Sequence, residues 1–144
     1  RGLPHRCESV RTINDVDYVN DSKGTNAGAS VVAISSFGCL SSGKVLLIAG
    51  GDAKGADLSP LHAPMAKYGR EAIVFGRDAD KVSQALDGAV DVKPVADLRE
   101  AVALAHQNAQ AGDVVLFSPA CASFDMFENF EHRGRVFCEE VRAL

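Results

Sequence analysis

Charged and hydroxyl side chains able to do chemistry are concentrated in four short polar stretches of the chain. These stretches are His5-Arg6, NDSKGTN at 20–26, GGDAKGADLSPL at 50–61 and SPACAS at 118–123. Lys54 stands among glycines and aspartates, where a long cation is uncommon as a packing residue, so it indicates carboxylate or phosphate binding. Ser123 lies near the predicted start of the last helix, where free backbone N–H groups favour an anion. The pattern therefore predicts a site for anionic ligands.

Each of these residues also has an ordinary structural explanation, and the residues alone leave both open. The ordinary roles are an exposed basic pair for His5 and Arg6, a solvated turn pair for Asp21 and Lys23, a helix cap for Thr25 and Ser123, and a core position for Phe130. Nothing in the sequence resembles a Ser-His-Asp or Cys-His nucleophilic set. Binding of charged groups is thus better supported than covalent catalysis.

One near-match to a phosphate-binding motif is misleading. Residues 38–45 read GCLSSGKV, which lacks the hydroxyl that a P-loop needs after its lysine to hold magnesium. A P-loop also lies between a strand and the helix that follows, whereas this segment is predicted to leave a helix and enter a strand. No GxGxxG fingerprint is present either, so the chain carries no nucleotide-binding motif of its own.

A central strand is predicted to position the polar stretches. Residues 45–49 (VLLIA) form an unbroken apolar run, typical of a parallel strand covered on both faces. Gly50 and Gly51 end the strand, and Ser59 is predicted to cap a helix with Pro60 at its first position. Open α/β sheets bind ligands beyond the carboxyl ends of their strands, where this loop would lie.

The rest of the chain alternates strands and helices with short connections. Before the central strand, we predict a hairpin from 7–13 and 16–20 with a turn at Asn14-Asp15, and a helix from Thr25 or Asn26 to near Gly38. After it, we predict a helix from Pro60 to Tyr68 with Gly69 as its C-cap, a strand at 71–75, a helix from Asp78 through Leu86 and a strand at 90–92. The chain should end with a helix capped by Asp97 and closed by Gly112, a strand at 113–117 and a final helix. This order predicts an α/β fold: a Rossmann-like, mostly parallel sheet with helices on both faces, preceded by an N-terminal β-hairpin.

Composition narrows the class of protein. The 144 residues fit one domain, and the formal net charge of −4 argues against a nucleic-acid surface. No apolar run approaches membrane-spanning length, so no membrane partner is expected. The four cysteines show no CxxC pair and no secretory signal precedes them, which predicts reduced thiols in a cytoplasmic protein. A first residue other than methionine suggests a piece of a longer chain.

Taken together and in order, the motifs resemble the C-terminal domain of the Mur ligases. They are HR at 5–6, NDSKGTN at 20–26, GGDAKGADLSPL at 50–61, FGRD at 75–78 and SPACASFDMFENFEHRG at 118–134. Within that family the resemblance is to the branch that adds D-glutamate to UDP-N-acetylmuramoyl-L-alanine during peptidoglycan synthesis. It implies that residues 1–144 are the amino-acid-binding last domain of a monomeric three-domain ligase. The N-terminal and central domains would be absent, and the central one would hold most of the ATP and Mg²⁺.

The resemblance also implies roles for individual residues. His5, Arg6, Asp21 and Lys23 would contact the nucleotide, and Lys23 would act catalytically on the γ-phosphate and the developing acyl phosphate. Thr25, Lys54, Ser123 and the backbone at Phe130 would bind D-glutamate. No metal ligand is implied in this domain, and the domain alone is expected to be inactive. Two alternatives stay open: another Mur or folylpolyglutamate-type ligase domain, and a non-catalytic Rossmann-like binding module.

Overall fold

Six strands form one sheet in the computed structural model, which describes residues 7–121 and 129–144. The strands are β1 (Glu8–Ile13), β2 (Val16–Asn20), β3 (Val45–Gly50), β4 (Gly69–Phe75), β5 (Asp91–Pro94) and β6 (Val114–Phe117). Their order across the sheet is β1-β2-β6-β3-β4-β5. β1 is antiparallel to β2, and the other neighbouring pairs are parallel. The predicted hairpin and mostly parallel sheet are confirmed.

Helices cover both faces of this sheet. They are α1 (Ala27–Leu40), α2 (His62–Tyr68), α3 (Ala79–Ala85), α4 (Leu98–Asn108) and α5 (Phe130–Arg142), with a 3₁₀ turn at Ser59–Leu61 before α2. All six residues of β3 are buried. Leu47 and Ala49 pack with α1, α2 and α3, whereas Leu46 and Ile48 pack with α4 and α5. An unbroken apolar strand is required here because successive side chains enter two different cores.

The start of α2 differs from the prediction. Ser59 does not cap a helix, because Leu61 stands at the N-cap position of α2 and makes no side-chain cap. Ser59 and Pro60 lie in the 3₁₀ turn, and α2 begins at His62. The Ser59 N–H and hydroxyl both donate to the Asp57 carboxylate, each over 2.9 Å, a common turn arrangement. Gly69 is the C-cap of α2 as predicted, and its backbone is extended because it is also the first residue of β4.

The helix predicted to end near Gly38 continues slightly further. Gly38 lies inside α1, which continues to Leu40. A Cβ at Gly38 would lie 2.4 Å from the Tyr68 ring, so the glycine is needed for close approach of α1 to the end of α2 rather than for helix termination. The strand predicted at 90–92 is observed as β5, Asp91–Pro94.

Two predicted caps are confirmed by hydrogen bonds. The Asn26 side chain accepts from the Ala29 N–H, and the Asp97 side chain accepts from the Glu100 N–H. The four cysteines are free thiols. Within the described ranges 7–121 and 129–144, no helix has the length and apolar character needed to cross a membrane.

Candidate ligand site at the carboxyl edge of the sheet

Three loops leave the carboxyl ends of the adjacent strands β2, β6 and β3 and meet at one edge of the sheet. Backbone hydrogen bonds join them in a row. The Ala120 N–H donates to the Gly24 carbonyl over 2.8 Å, and the Gly50 N–H donates to the Pro119 carbonyl over 3.0 Å. The three polar stretches that follow these strands are therefore held side by side, where open α/β sheets bind ligands.

Asp21 is fixed within this edge by several partners. Its side chain is buried, with the residue only 4% exposed. One carboxylate oxygen accepts from the Cys7 N–H at 3.2 Å and the other from the Ser118 hydroxyl at 3.0 Å. Because Ser118 donates its one hydroxyl proton to Asp21, Ser30 must donate in the 2.8 Å contact between the two serine hydroxyls. The interpretation of Asp21 as a solvated turn residue is wrong.

Lys23 and Phe130 meet at the same edge. The exposed Lys23 ammonium lies 5.7 Å from the centroid of the Phe130 ring, within range of a cation–π interaction. Phe130 is the first residue of α5, and its ring is only partly buried. The Asn129 side chain caps this helix by accepting from the His132 N–H at 2.8 Å. The interpretation of Phe130 as a core residue is therefore wrong.

A cleft of about 270 Å³ opens beside Lys23. It is lined by Cys7, Asp21, Lys23, Gly24, Ala29, Val32 and Ala33. Its lining combines apolar residues of α1, among them Val32, which is 66% exposed, with the charged residues Asp21 and Lys23. Such a cleft suits a ligand with a flat apolar part and an anionic part, as in a nucleotide.

Lys54 lies in the loop after β3 in a left-handed conformation, with φ of 52°. Its N–H donates to the Asp52 carboxylate over 2.9 Å, and the residue is exposed. Asp78, after β4, anchors this loop: its carboxylate accepts from the Ala53 N–H at 2.7 Å, and its N–H donates to the Gly51 carbonyl. The Lys54 backbone is thus held in place while its residue faces solvent.

The Asp78 anchor is charged under ordinary conditions. The hydrogen bond from the Ala53 N–H is the main reason that the pKa of the Asp78 carboxyl lies below its usual value. Burial opposes this effect less strongly, and the nearby Lys81 ammonium lowers the pKa a little further. Asp78 was predicted only to begin a helix. It stands at the N-cap position of α3, but its side chain does not cap that helix.

The predicted site residues are thus partly brought together. Asp21 and Lys23 line one cleft, and Lys23 contacts Phe130. Thr25 is exposed in the same loop, and since Asn26 caps α1, Thr25 does not. Lys54 lies on the loop of a nearby strand at the same edge. His5, Arg6 and Ser123 lie outside the described residues.

Sequence reasoning missed Arg133. This arginine is 0% exposed and donates to backbone carbonyls in two of the site loops. Its only signal in the sequence is a place in the long motif at 118–134, where it looks like any surface arginine of an amphipathic helix. In the described ranges, no group of three or more His, Cys, Asp or Glu side chains could hold a metal ion.

Comparison with known proteins decides the family. The family model described as the Mur ligase, glutamate ligase domain, matches residues 5–121. The chain belongs to the Mur ligase family. This Mur ligase domain is 56% identical over 144 residues to the UDP-N-acetylmuramoylalanine–D-glutamate ligase of Marinobacter nauticus and 54% identical over 143 residues to that of Pseudomonas syringae pv. tomato. The matches include 100% and 99% of this chain, respectively, but only 32% of the length of each relative.

Solved structures are similar to this Mur ligase domain in fold. The FolC protein of E. coli in complex with ADP has a TM-score of 0.71 at 20% identity, covering 98% of this chain and 32% of that one. The UDP-N-acetylmuramate-alanine ligase MurC of Thermotoga maritima has a TM-score of 0.67 at 13% identity, covering 99% and 31%. The Rossmann-like architecture is therefore shared with these two proteins.

Proposed function

We propose that this domain is the C-terminal part of an ATP-dependent ligase that adds D-glutamate to UDP-N-acetylmuramoyl-L-alanine. The observation that carries the proposal is identity of 56% and 54% over essentially the whole chain to two ligases with that name. The chain spans about a third of their length, 32%, so the remaining domains would come from the full-length protein. An anionic-ligand site at the carboxyl edge of the sheet fits such a role.

The reaction would proceed through an acyl phosphate. The carboxylate of UDP-N-acetylmuramoyl-L-alanine would take the γ-phosphoryl group of ATP, and the amine of D-glutamate would then displace phosphate through a tetrahedral intermediate. Lys23 would stabilise the negative charge on the transferring phosphoryl group, which is the main work that protein groups do in such steps. Its exposed position at the cleft is consistent with contact to a second domain's ligand.

D-Glutamate carries two carboxylates and therefore needs cations and N–H donors. Lys54 would supply a charged hydrogen bond, and Thr25, Ser123 and the backbone at Phe130 would supply the remaining donors. The first turn of α5 adds the positive end of the helix dipole. The left-handed loop around Lys54 and its Asp78 anchor would hold this cation in a fixed direction.

The nucleotide would occupy the cleft beside α1. The apolar residues of α1 suit a base, and Lys23 and the fixed Asp21 carboxylate suit the phosphates and the ribose hydroxyls respectively. His5 and Arg6 precede this cleft in sequence and would complete it. Mg²⁺ would be held by the central domain, since the described residues offer no cluster of acidic ligands.

The active site would be complete only when this domain closes onto the other domains of a monomeric ligase. Closure would keep water from the acyl phosphate. The partners would be the two small substrates and the protein's own N-terminal and central domains, in the cytoplasm where ATP is available.

The test is phosphate release by the full-length protein with ATP, magnesium and UDP-N-acetylmuramoyl-L-alanine. D-glutamate, L-glutamate, L-alanine and a diamino acid would be compared as the incoming amine. We expect release with D-glutamate alone. Release with L-glutamate would favour a folylpolyglutamate-type ligase, and release with none of the four would favour a binding module without catalysis.

A further inference from the structure

A buried arginine connects the two loops that carry the proposed phosphate and D-glutamate groups. Arg133 lies in α5 with its residue 0% exposed. One terminal guanidinium nitrogen donates to the Cys121 carbonyl over 3.0 Å, and the other donates to the Ser22 carbonyl over 2.9 Å. Its guanidinium carbon lies 5.8 Å from the centroid of the Phe117 ring. The two accepting residues are adjacent to the proposed site in sequence.

The fork geometry of the guanidinium is essential to this arrangement. Two terminal nitrogens at a fixed separation can serve two carbonyls at once, whereas a lysine ammonium is a compact point donor on a flexible stem. Burying a guanidinium is costly unless it is well hydrogen-bonded. The large cost of burial and the choice of two loop carbonyls as acceptors indicate a role beyond filling space.

The dipeptide Ser22-Lys23 is attached to α5 at two points. Arg133 binds the Ser22 carbonyl, and the Phe130 ring, one turn earlier on the same face of α5, lies against the Lys23 ammonium. The other terminal nitrogen of Arg133 donates to the Cys121 carbonyl, two residues before Ser123 in the sequence. One side chain therefore sets where both loops lie with respect to the start of α5.

We propose that Arg133 is a positioning residue for the ligase reaction: it fixes the Ser22-Lys23 dipeptide relative to the Cys121 carbonyl and the start of α5, so that Lys23 is held in register with the D-glutamate donor at Phe130. This inference rests on the proposed function. Arg133 is buried and acts on ligands only through Lys23 and the backbone of the two loops. Misplacement of reacting groups by even a small distance is costly in rate.

A merely structural arginine and a positioning arginine differ in their coupling to Lys23. The test compares the full-length protein with Arg133→Lys, Lys23→Ala and the double variant, measuring kcat and KM for ATP and the amine. We expect Arg133→Lys to lower kcat by at least about 10-fold, as for loss of a hydrogen bond to a charged donor. In the Lys23→Ala background the same change should cost about 3-fold or less, because the part of its effect that passes through Lys23 is already lost and only the part that passes through the loop backbone remains.

Arg135→Lys is the matched control, since Arg135 lies on α5 but is exposed. It should leave kcat and both KM values unchanged. Additive losses in the double variant, or an unchanged kcat in Arg133→Lys, would overturn the inference. The amine that gives phosphate release with the unmodified protein is used for all variants. If that amine is not D-glutamate, the proposed function is wrong, but the coupling between Arg133 and Lys23 can still be measured.

Amide hydrogen exchange of the unmodified full-length protein provides a second measurement if Arg133→Lys does not fold. The Gly24 N–H, which donates to the Asp21 carbonyl within the Lys23 loop, should be protected to a similar degree as the Phe137 N–H in α5. Such protection is expected if the loop opens only together with the helix. Exchange of Gly24 at least about 100-fold faster than that of Phe137 would show that the loop moves independently and would overturn the inference.

Discussion

The Lys23 ammonium lies 5.7 Å from the centroid of the Phe130 ring, which joins the loop after β2 to the first residue of α5. The family resemblance implies different ligands for these residues, the phosphate for Lys23 and D-glutamate for the backbone at Phe130. Their contact means that the two proposed subsites are next to each other. A change at one residue should therefore be detected at the other subsite.

The ring contact makes a specific prediction for Phe130→Leu in the full-length protein. An exposed cation–π interaction contributes about 0.5–1 kcal/mol, so its loss should lower kcat/KM by about 2- to 5-fold. The KM for ATP should rise along with that for D-glutamate. Phe130→Tyr keeps the ring and should retain both KM values. A change confined to D-glutamate would show that the ring does not orient Lys23.

Lys54→Ala should raise the KM for D-glutamate by at least about 10-fold, because one charged hydrogen bond to a carboxylate is lost. The KM for ATP should stay the same, since Lys54 lies on the loop after β3 and is not among the residues that line the cleft beside Lys23. Steady-state kinetics of the full-length protein measure both. Lys67→Ala, an exposed lysine in the last turn of α2, is the control. An unchanged KM for D-glutamate would remove Lys54 from the binding site.

The Arg70–Asp113 ion pair predicts how stability depends on pH. Burial alone would raise the pKa of Asp113, but hydrogen bonds from Arg70 and from the Lys44 and Gln110 N–H groups outweigh it and hold the pKa below its usual value. Asp113 has a side-chain exposure of 0%, and Arg70 donates to it at 2.6 Å and 3.1 Å. The contribution of Asp113 to the free energy of unfolding is therefore present above about pH 3.9, the pKa of an aspartate in the unfolded chain. It is lost as the pH falls through the lower pKa that Asp113 has in the folded chain.

Asp113→Asn should accordingly reduce the free energy of unfolding of the 144-residue chain. The expected loss is about 3 kcal/mol near neutral pH, because a fully buried carboxylate that binds Arg70 and two backbone N–H groups is replaced by an amide, and it should shrink as the pH falls below about 4. Urea unfolding at a series of pH values measures this loss. Asp91→Asn, an exposed carboxylate on β5, should change the free energy little at any pH. A loss for Asp113→Asn that is independent of pH would contradict the assignment to the charged pair.

Two serines at the site edge should respond in opposite ways to removal of the hydroxyl. The buried Ser22 hydroxyl has no hydrogen-bond partner among the described residues, so Ser22→Ala should leave the free energy of unfolding unchanged or raise it by up to about 1 kcal/mol. Ser30→Ala removes a hydroxyl bonded to Ser118 and should lower it by about 1 kcal/mol. Urea unfolding of the two variants side by side measures the contrast, and equal losses would refute it.

The elements that could be predicted from the sequence are those set by local patterns. The buried strand at 45–50 follows from an unbroken apolar run, and the cap at Asp97 follows from a polar residue directly before a helical pattern. The role of Arg133 could not be predicted, because its acceptor Ser22 is 111 residues away in the chain. Asp78 was misjudged for the same reason: its carboxylate binds Ala53, 25 residues earlier, rather than its own helix. Contacts of this kind depend on which strands become neighbours, which a local pattern does not specify.

The 144-residue chain alone should release no phosphate from ATP, with or without D-glutamate and UDP-N-acetylmuramoyl-L-alanine. Lys23 and Lys54 provide cations at the edge of the sheet, but the described residues carry neither a metal-ligand cluster nor the phosphate-binding loop that transfer from ATP requires. A phosphate-release assay of the purified chain measures this, with the full-length protein as the positive control. Release by the isolated chain that is abolished by Lys23→Ala would mean that the site is complete without domain closure, and the proposed need for the central domain would then be wrong.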